Sequence, residues 1–160
     1  MQSIPKEIAR HLHDVHFGGN WTSVNVKDTL SGISWQEAVT KVHSFNTIAM
    51  LVFHMHYYVQ AILQVVRGLP LDAHDNLSFN VSPIRSQEDW EILQSETISD
   101  AAVLSMLIEQ LPVEKLSENF TGEKYGSWYR NLHGLIEHTH YHLGQIVIIK
   151  KLLEEKKIDH

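Results

Sequence analysis

The sequence predicts an all-α fold, an antiparallel four-helix bundle with a long crossover connection and one short additional helix. Apolar residues recur at spacings of three and four through four long segments. No segment shows sustained alternation of apolar and polar residues between hairpin turns, and no long internal repeat is visible. A chain of 160 residues falls within the usual range of one domain, so a single domain over 1–160 is expected.

The first predicted elements are one long and one short helix. Ser3 is a candidate N-cap for a helix over 4–17, which a pair of glycines ends. Residues 28–30 are expected to form a turn. Ser34 has a glutamate three residues later, which is the spacing of a capping box, and it predicts a short helix near 34–42.

Three further long helices complete the prediction. Each begins near a residue that can cap it or ends at a glycine or proline. Between them lie two polar, irregular segments, of which the first is long enough to cross one end of a bundle. The predicted helices are an apolar helix over 48–66 opened by Asn46, a helix from Ser86 to Pro112 and a helix over 128–155, and the irregular segments are 69–85 and 113–127.

Composition excludes several classes of function. The chain has no cysteine, so a disulfide, a zinc-thiolate site and a cysteine nucleophile are excluded. The net charge of −6 comes from interspersed charges, so no basic face is expected for nucleic acid. The first thirty residues resemble no signal peptide, and no uninterrupted apolar run has the length of a membrane span. We therefore expect a soluble, cytoplasmic protein that binds neither nucleic acid nor membrane.

Twelve histidines are scattered along the chain, and two of them share a helix face with apolar residues. His138 and His142 are four residues apart, so about 40° of rotation separates them on a helix. Leu135 and Ile146 lie on the same side, which turns this pair toward the interior. Such a pair is often accidental in a histidine-rich chain, and buried histidines are often only hydrogen bonded.

His54 supplies a third inward imidazole from the apolar helix over 48–66. His56 on that helix, and His133 and His140 on the last one, point away from the predicted ligand face. Three neutral imidazoles leave one position for water or substrate, as in a catalytic zinc-type site. The sequence therefore predicts a divalent-metal site formed by His54, His138 and His142, with zinc or nickel favoured and iron or cobalt acceptable.

The segment Glu137-His138-Thr139-His140-Tyr141-His142-Leu143-Gly144-Gln145-Ile146 resembles the H-x-x-x-H-R-G-Q-[IL] signature of the DinB-like (DinB/YfiT-like) metal-binding bundles. Leu143 stands where that signature usually has arginine. The run Ile48 to His54, with Gly68 fourteen residues later, resembles the apolar helix that carries the family's other histidine ligand. Residues 18–21 and 86–90 resemble segments of one branch of the family. The resemblance implies a four-helix bundle with a metal at one end of a cleft.

The resemblance leaves the reaction open. A metal-dependent transferase that uses a low-molecular-weight thiol of the bacillithiol or mycothiol type is the first hypothesis, because an open metal position would bind and activate a thiol. A hydrolase that activates water is the second, although Glu137 is expected to point off the ligand face. The third is a noncatalytic metal or small-ligand binding protein, with Tyr57, Val59 and Val66 as candidates for a homodimer contact. The substrate is expected to be a small molecule, and the reacting group a metal-bound water or thiol.

Overall fold

In a computed structural model, which describes residues 3–158, the protein is all-helical and the described residues form no strand. A single isolated bridge joins Asn119 and Ser127. The prediction of an all-α protein is confirmed. The α-helices are α1 (Ile4–Phe17), α2 (Val26–Leu30), α3 (Trp35–Val39), α4 (Ile48–Val66), α5 (Gln87–Glu109) and α6 (Trp128–Ile158), and the short 3₁₀ turns are Asp75–Leu77, Val113–Ser117 and Glu123–Tyr125.

Helix α1 has the predicted bounds, but its start differs in detail. Ser3 occupies the N-cap position, yet its side chain makes no capping hydrogen bond. Pro5 lies in the first turn, where its missing N–H costs nothing because that group has no helical partner there. Gly18 ends the helix with φ 111°, a backbone conformation that favours glycine.

Two short helices, rather than one, follow α1. The segment expected to form a turn is part of α2, because the Asn25 side chain accepts a hydrogen bond from the backbone N–H of Asp28 and caps the helix. Helix α3 has the predicted capping box, in which Ser34 and Glu37 satisfy each other's backbone groups. It ends at Val39, three residues before the predicted end.

Helix α4 begins at Ile48 and is capped by Thr47 rather than opened by Asn46, since the Thr47 hydroxyl accepts from the N–H of Met50. By length and composition this helix could cross a membrane, but 67% of its most apolar window is buried inside the protein. Val59 is fully buried in the core, so it is not available for the predicted dimer contact.

The four long helices pack against one another in pairs: α1 with α5 and α6, and α4 with α5 and α6. Their apolar faces form one core that includes Leu12, Val52, Leu104 and Ile146. Trp90 of α5 is also buried, and its indole N–H donates to the carbonyl of Ile33, which fixes the segment before α3 against α5. Helix α6 continues to Ile158, three residues beyond the predicted end.

The first irregular segment, predicted at 69–85, is confirmed apart from one short 3₁₀ turn. Side chains of α4 hold this turn in place. The hydroxyl of Tyr57 donates to the carbonyl of His74 and accepts from its N–H, and the hydroxyl of Tyr58 donates to Asp75. The segment is thereby fixed along the exposed side of α4, next to His54.

Candidate metal centre

Helices α4 and α6 bring His54, His138 and His142 together, as the sequence predicts. One ligand nitrogen from each residue lies within 4.8 Å of the other two. The Nε2 atoms of His54 and His138 are 2.9 Å apart, although 84 positions separate these residues in the sequence. His54 and His142 are buried, and His138 is half-buried. The described residues contain no other such group of potential metal ligands.

The spacing of the three nitrogens is close to what a tetrahedral ion requires. Zinc–nitrogen bonds of ~2.0–2.1 Å at tetrahedral angles place two ligand nitrogens ~3.3 Å apart. The His54–His138 distance is slightly shorter than this value, and all three ligand nitrogens lie within 4.8 Å of one another. The three imidazoles would occupy three positions of an ion and leave one for a solvent or substrate atom.

The Nδ1 atom of His54, the ring nitrogen on the side away from the cluster, is held by the irregular segment 69–85. Its Nδ1–H donates to the carbonyl of Ser78 at 3.3 Å, and this bond fixes the tautomer whose Nε2 lone pair faces the cluster. Phe79 stacks on the imidazole with 3.8 Å between ring centroids and 7° between the planes. The backbone and an aromatic ring together therefore determine the orientation of His54.

His142 is oriented in a similar way from within α6. Its Nδ1–H donates to Oε1 of Gln145 at 2.7 Å, which leaves Nε2 as the metal-binding atom. His138 differs, because its buried Nδ1 has no hydrogen-bond partner among the described residues. Its Nε2–H donates to Nε2 of His54 at 2.9 Å, and its ring makes edge-on contacts with His142 and Tyr58, at centroid distances of 4.5 and 4.9 Å.

The surroundings keep all three imidazoles neutral. Burial, with a smaller effect of His142 and His54, lowers the pKa of His138 from 6.5 to about 4. Burial and the neighbouring His142 lower the pKa of His54, against smaller opposite effects of Ser78 and Asp75. Burial also lowers the pKa of His142, against the hydrogen bond to Gln145. Neutral imidazoles have the lone pairs that a metal ion needs, so the cluster does not require prior loss of protons near pH 7.

A cleft of about 360 Å³ between α4 and α6 reaches the cluster at His138. Tyr58 forms part of its wall, and the aromatic ring of this residue lies edge-on to both His54 and His138. The hydroxyl of Tyr58 donates to Oδ1 of Asp75 at 2.7 Å. Burial and the Asp75 carboxylate raise the pKa of Tyr58, so it stays a neutral hydrogen-bonding group beside the cluster.

The remaining histidines of the two ligand helices lie outside the cluster, as predicted. His56 is buried on another side of α4, where its Nε2 is 2.8 Å from Oδ2 of Asp100 on α5. The ring of His133 lies against Tyr129, and His140 is half-buried. Glu137 is exposed, but it lines the same cleft as His138, which the helical projection from sequence did not indicate.

The residues that support the cluster were only partly visible in the sequence. Gln145 stands within the signature, and Tyr58 follows His54 by four residues, a spacing that places two side chains together on one helix face. Ser78, Phe79 and Asp75 lie in an irregular segment without periodicity, and no sequence signal placed them near His54.

Comparisons of this chain with protein-family models, with curated proteins and with solved structures give no match.

Proposed function

We propose that this protein binds one divalent metal ion through His54, His138 and His142. The observation that supports this proposal most directly is the convergence of three ring nitrogens within 4.8 Å of one another. The bonds from His54 to Ser78 and from His142 to Gln145 turn an Nε2 lone pair toward the same point. The Nε2 atoms of His54 and His138 lie at hydrogen-bond distance, 2.9 Å, so a metal ion that binds the cluster would take the place of the proton between them.

The donor set limits the choice of metal. Three imidazoles without a thiolate or carboxylate suit zinc and nickel best, and they also accept iron or cobalt. Among the described residues no acidic side chain completes the cluster, so a fourth ligand would come from solvent or from a bound small molecule. This arrangement favours a site that reacts with a small-molecule substrate over a purely structural one.

We further propose that the chain is a DinB-like protein whose four long helices form an antiparallel bundle with a crossover after the second long helix. The signature-like segment around His138 and His142 supports this assignment, as does the packing of each long helix against two others. Leu143, which replaces the usual arginine, is buried in the core and lies outside the ligand cluster. The substitution therefore leaves the proposed ligand set intact.

For the reaction, we propose transfer of a low-molecular-weight thiol to an electrophilic small molecule. A bound metal ion would lower the pKa of the thiol and hold it as a thiolate, which is the nucleophilic form. The protein has no cysteine of its own for this role. Tyr58 is suited to orient the substrate, because its hydroxyl is fixed by Asp75 at the wall of the cleft that leads to His138.

A metal-dependent hydrolase is the second candidate, and one observation favours it. Glu137 lines the cleft together with His138, so a carboxylate is available to accept a proton from an attacking water. A Glu137→Gln variant distinguishes the two candidates: hydrolysis of a model ester or amide would fall by 10²-fold or more, whereas thiol conjugation would be nearly unchanged. A noncatalytic metal-binding homodimer would show neither activity. Because Val59 is buried in the core, it would not be part of the dimer contact.

The first test is metal content. Protein prepared without a histidine tag or added metal is expected to contain close to one equivalent of metal by inductively coupled plasma mass spectrometry. A His54→Ala, His138→Ala double variant should lose it, because one imidazole cannot hold the ion. His133→Ala is the matched control, since His133 lies on α6 but outside the cluster. Wild-type protein that remains metal-free after incubation with zinc, nickel, cobalt or iron would refute the proposal.

A further inference from the structure

Helix α6 has a glycine, Gly134, in the wall of the cleft that reaches His138. A Cβ atom added at Gly134 would meet no other atom within 4 Å, so packing does not require glycine at this position. Glycine inside a helix costs about 0.5–1 kcal/mol relative to alanine. Packing therefore does not explain the glycine, and the wall of the cleft is open at this position.

One turn before Gly134, Arg130 lies at the other end of the same cleft. Its Nη1 donates to the carbonyl of Tyr125 at 2.9 Å. Its side-chain stem lies close to Gly126, where an added Cβ would come within 3.2 Å of the arginine Cδ. Among the described residues no carboxylate forms an ion pair with Arg130. Arg130 is exposed at the mouth of the cleft, and its guanidinium group is held by Tyr125 without an ion-pair partner in residues 3–158.

The walls between these two ends combine apolar side chains with the polar side chain of Asn131. Ile62 and Leu135 line the cleft between Arg130 and His138. A second cavity of about 470 Å³ shares Tyr58, Ile62 and Asn131 with it, and its further lining includes apolar side chains and the polar residues His74, Asp75 and Asn76. We refer to the two adjoining cavities as the groove; Arg130 lies at one point of its wall and His138 at another.

The length of helix between the two ends limits the size of a ligand. Arg130 and His138 are eight residues apart, so their Cα atoms are separated by ~12 Å along the axis. A ligand that reaches both ends must therefore be elongated, on the order of 10 Å in length.

We propose that the groove binds an elongated small organic acid, whose carboxylate pairs with Arg130, whose apolar body lies beside Gly134 and whose other end reaches the histidine cluster. This inference rests on the metal-binding function proposed above. Arginine binds carboxylates through two parallel hydrogen bonds, and no carboxylate among the described residues pairs with Arg130. Glu137 lies at the His138 end of the cleft, and its charge disfavours the reverse orientation, with the carboxylate beside the cluster.

The test uses cobalt-loaded protein and two thiols of equal length, mercaptohexanoate and mercaptohexanol. Binding is followed by the thiolate-to-cobalt charge-transfer absorption and by calorimetry. Wild-type protein is expected to bind the acid about 10-fold or more tightly than the alcohol, because only the acid can pair with Arg130. Arg130→Gln should remove this preference and leave the affinity for the alcohol unchanged.

Gly134→Leu should fill the cleft and weaken binding of both thiols about 10-fold or more, with the cobalt content unchanged. Gly144→Leu is the matched control, because Gly144 lies on the same helix, also has open space at Cβ and lines none of the cavities described above. Leucine is a better helix former than glycine, so neither variant should lose stability.

Two results would overturn this inference without affecting the proposed metal binding. One is equal affinity for the acid and the alcohol in cobalt-loaded wild-type protein. The other is a Gly134→Leu variant that binds both thiols as tightly as the wild type does. Failure to load cobalt would overturn the proposed function and this inference together. Metal analysis of every sample distinguishes this failure from the first two results.

Discussion

At the scale of single residues, the imidazoles of the cluster depend on neighbours that accept hydrogen bonds from their outer nitrogens. His54 uses the backbone carbonyl of Ser78, and His142 uses the side chain of Gln145. A backbone acceptor cannot be removed by a side-chain substitution, but the glutamine can. Gln145 is therefore the residue at which the importance of ligand orientation can be measured.

We expect Gln145→Leu to lower the affinity for zinc or cobalt about 10- to 100-fold, because the ring of His142 loses the acceptor that fixes its orientation. Gln145→Glu keeps an acceptor oxygen and should retain affinity close to that of the wild type. Competition with a chromophoric chelator measures both values. Equal affinities for the leucine variant and the wild type would show that ring packing alone orients His142.

His16 makes the free energy of unfolding depend on pH, and this residue is not part of the metal site. It is fully buried, its Nδ1–H donates to the carbonyl of Leu12, and its Nε2 has no partner among the described residues. Burial lowers the pKa of His16 from 6.5 to about 4. The unfolded chain therefore binds a proton at this residue below pH 6.5, whereas the folded protein binds it only near pH 4.

The stability that neutral His16 contributes is present above pH 6.5 and is lost as the pH falls toward 4. By linkage this loss is roughly 3 kcal/mol. We expect metal-free protein with His16→Leu to lose less free energy of unfolding than wild-type protein between these two pH values. Urea titrations at several pH values measure the difference. Parallel curves for the two proteins would contradict the assignment.

Sequence reasoning at the residue scale succeeded where helical geometry governs position and failed elsewhere. The spacing of His138 and His142, the apolar neighbours of His54 and the resemblance to the DinB-like signature together predicted which of twelve histidines converge. The contribution of the Ser78 carbonyl could not be predicted, because a backbone acceptor has no residue-type signal and the surrounding segment has no period. The orientation of Glu137 depends on the shape of the cleft, which a helical projection does not contain.

At the scale of elements, helices α4 and α5 are joined by a buried polar contact as well as by apolar packing. His56 and Asp100 meet at 2.8 Å, and Gln60 also donates to the Asp100 carboxylate at 3.2 Å. His56 is 3% exposed, so loss of its partner would leave a buried nitrogen without a hydrogen bond. This contact also holds the helix on which His54 lies.

We expect Asp100→Ala to lower the free energy of unfolding by about 1–3 kcal/mol, because the buried imidazole of His56 loses its acceptor. Asp72→Ala is a suitable control, since Asp72 makes a similar contact of 3.1 Å with His74 where both side chains are exposed. Its effect should be within about 0.5 kcal/mol. Thermal and chemical unfolding measure both variants, and equal effects would show that the buried pair has no special role.

Element boundaries were predicted best where a cap or breaker is explicit. The bounds of α1 and α4 follow the apolar period and the flanking glycines, and the capping box of Ser34 marks the start of α3. Helix α2 was missed because five residues are too short for a period to emerge, and its Asn25 cap was not recognised. Interactions with the rest of the chain, rather than local propensity, decide such short elements.

At the scale of the whole molecule, the proposed metal ion would join the helices α4 and α6 and the segment that follows α4. Ligands that bind only the folded state stabilise it by mass action, by about 2.7 kcal/mol at 100 times the Kd. For a protein of this size, this gain corresponds to an increase in Tm of roughly 5–10 °C. We expect this increase on addition of zinc or cobalt, and its reversal by a chelator.

A His54→Ala variant should show no such increase, although its metal-free form should unfold near the Tm of metal-free wild-type protein or below it. Differential scanning calorimetry at matched protein concentration measures the four states. An equal increase in the variant would mean that the ion stabilises the protein from another place on its surface.

The distance of 84 positions between His54 and His138 has a consequence for the order of events during synthesis. Helix α4 leaves the ribosome with a single histidine of the cluster, and the other two follow only when α6 has been made. A partly synthesised chain would therefore have no competent metal site, and it could not retain an ion against the chelators of the cell. Metal acquisition would report that the polypeptide has completed its fold, and an ion taken up at that moment would slow its unfolding from then on.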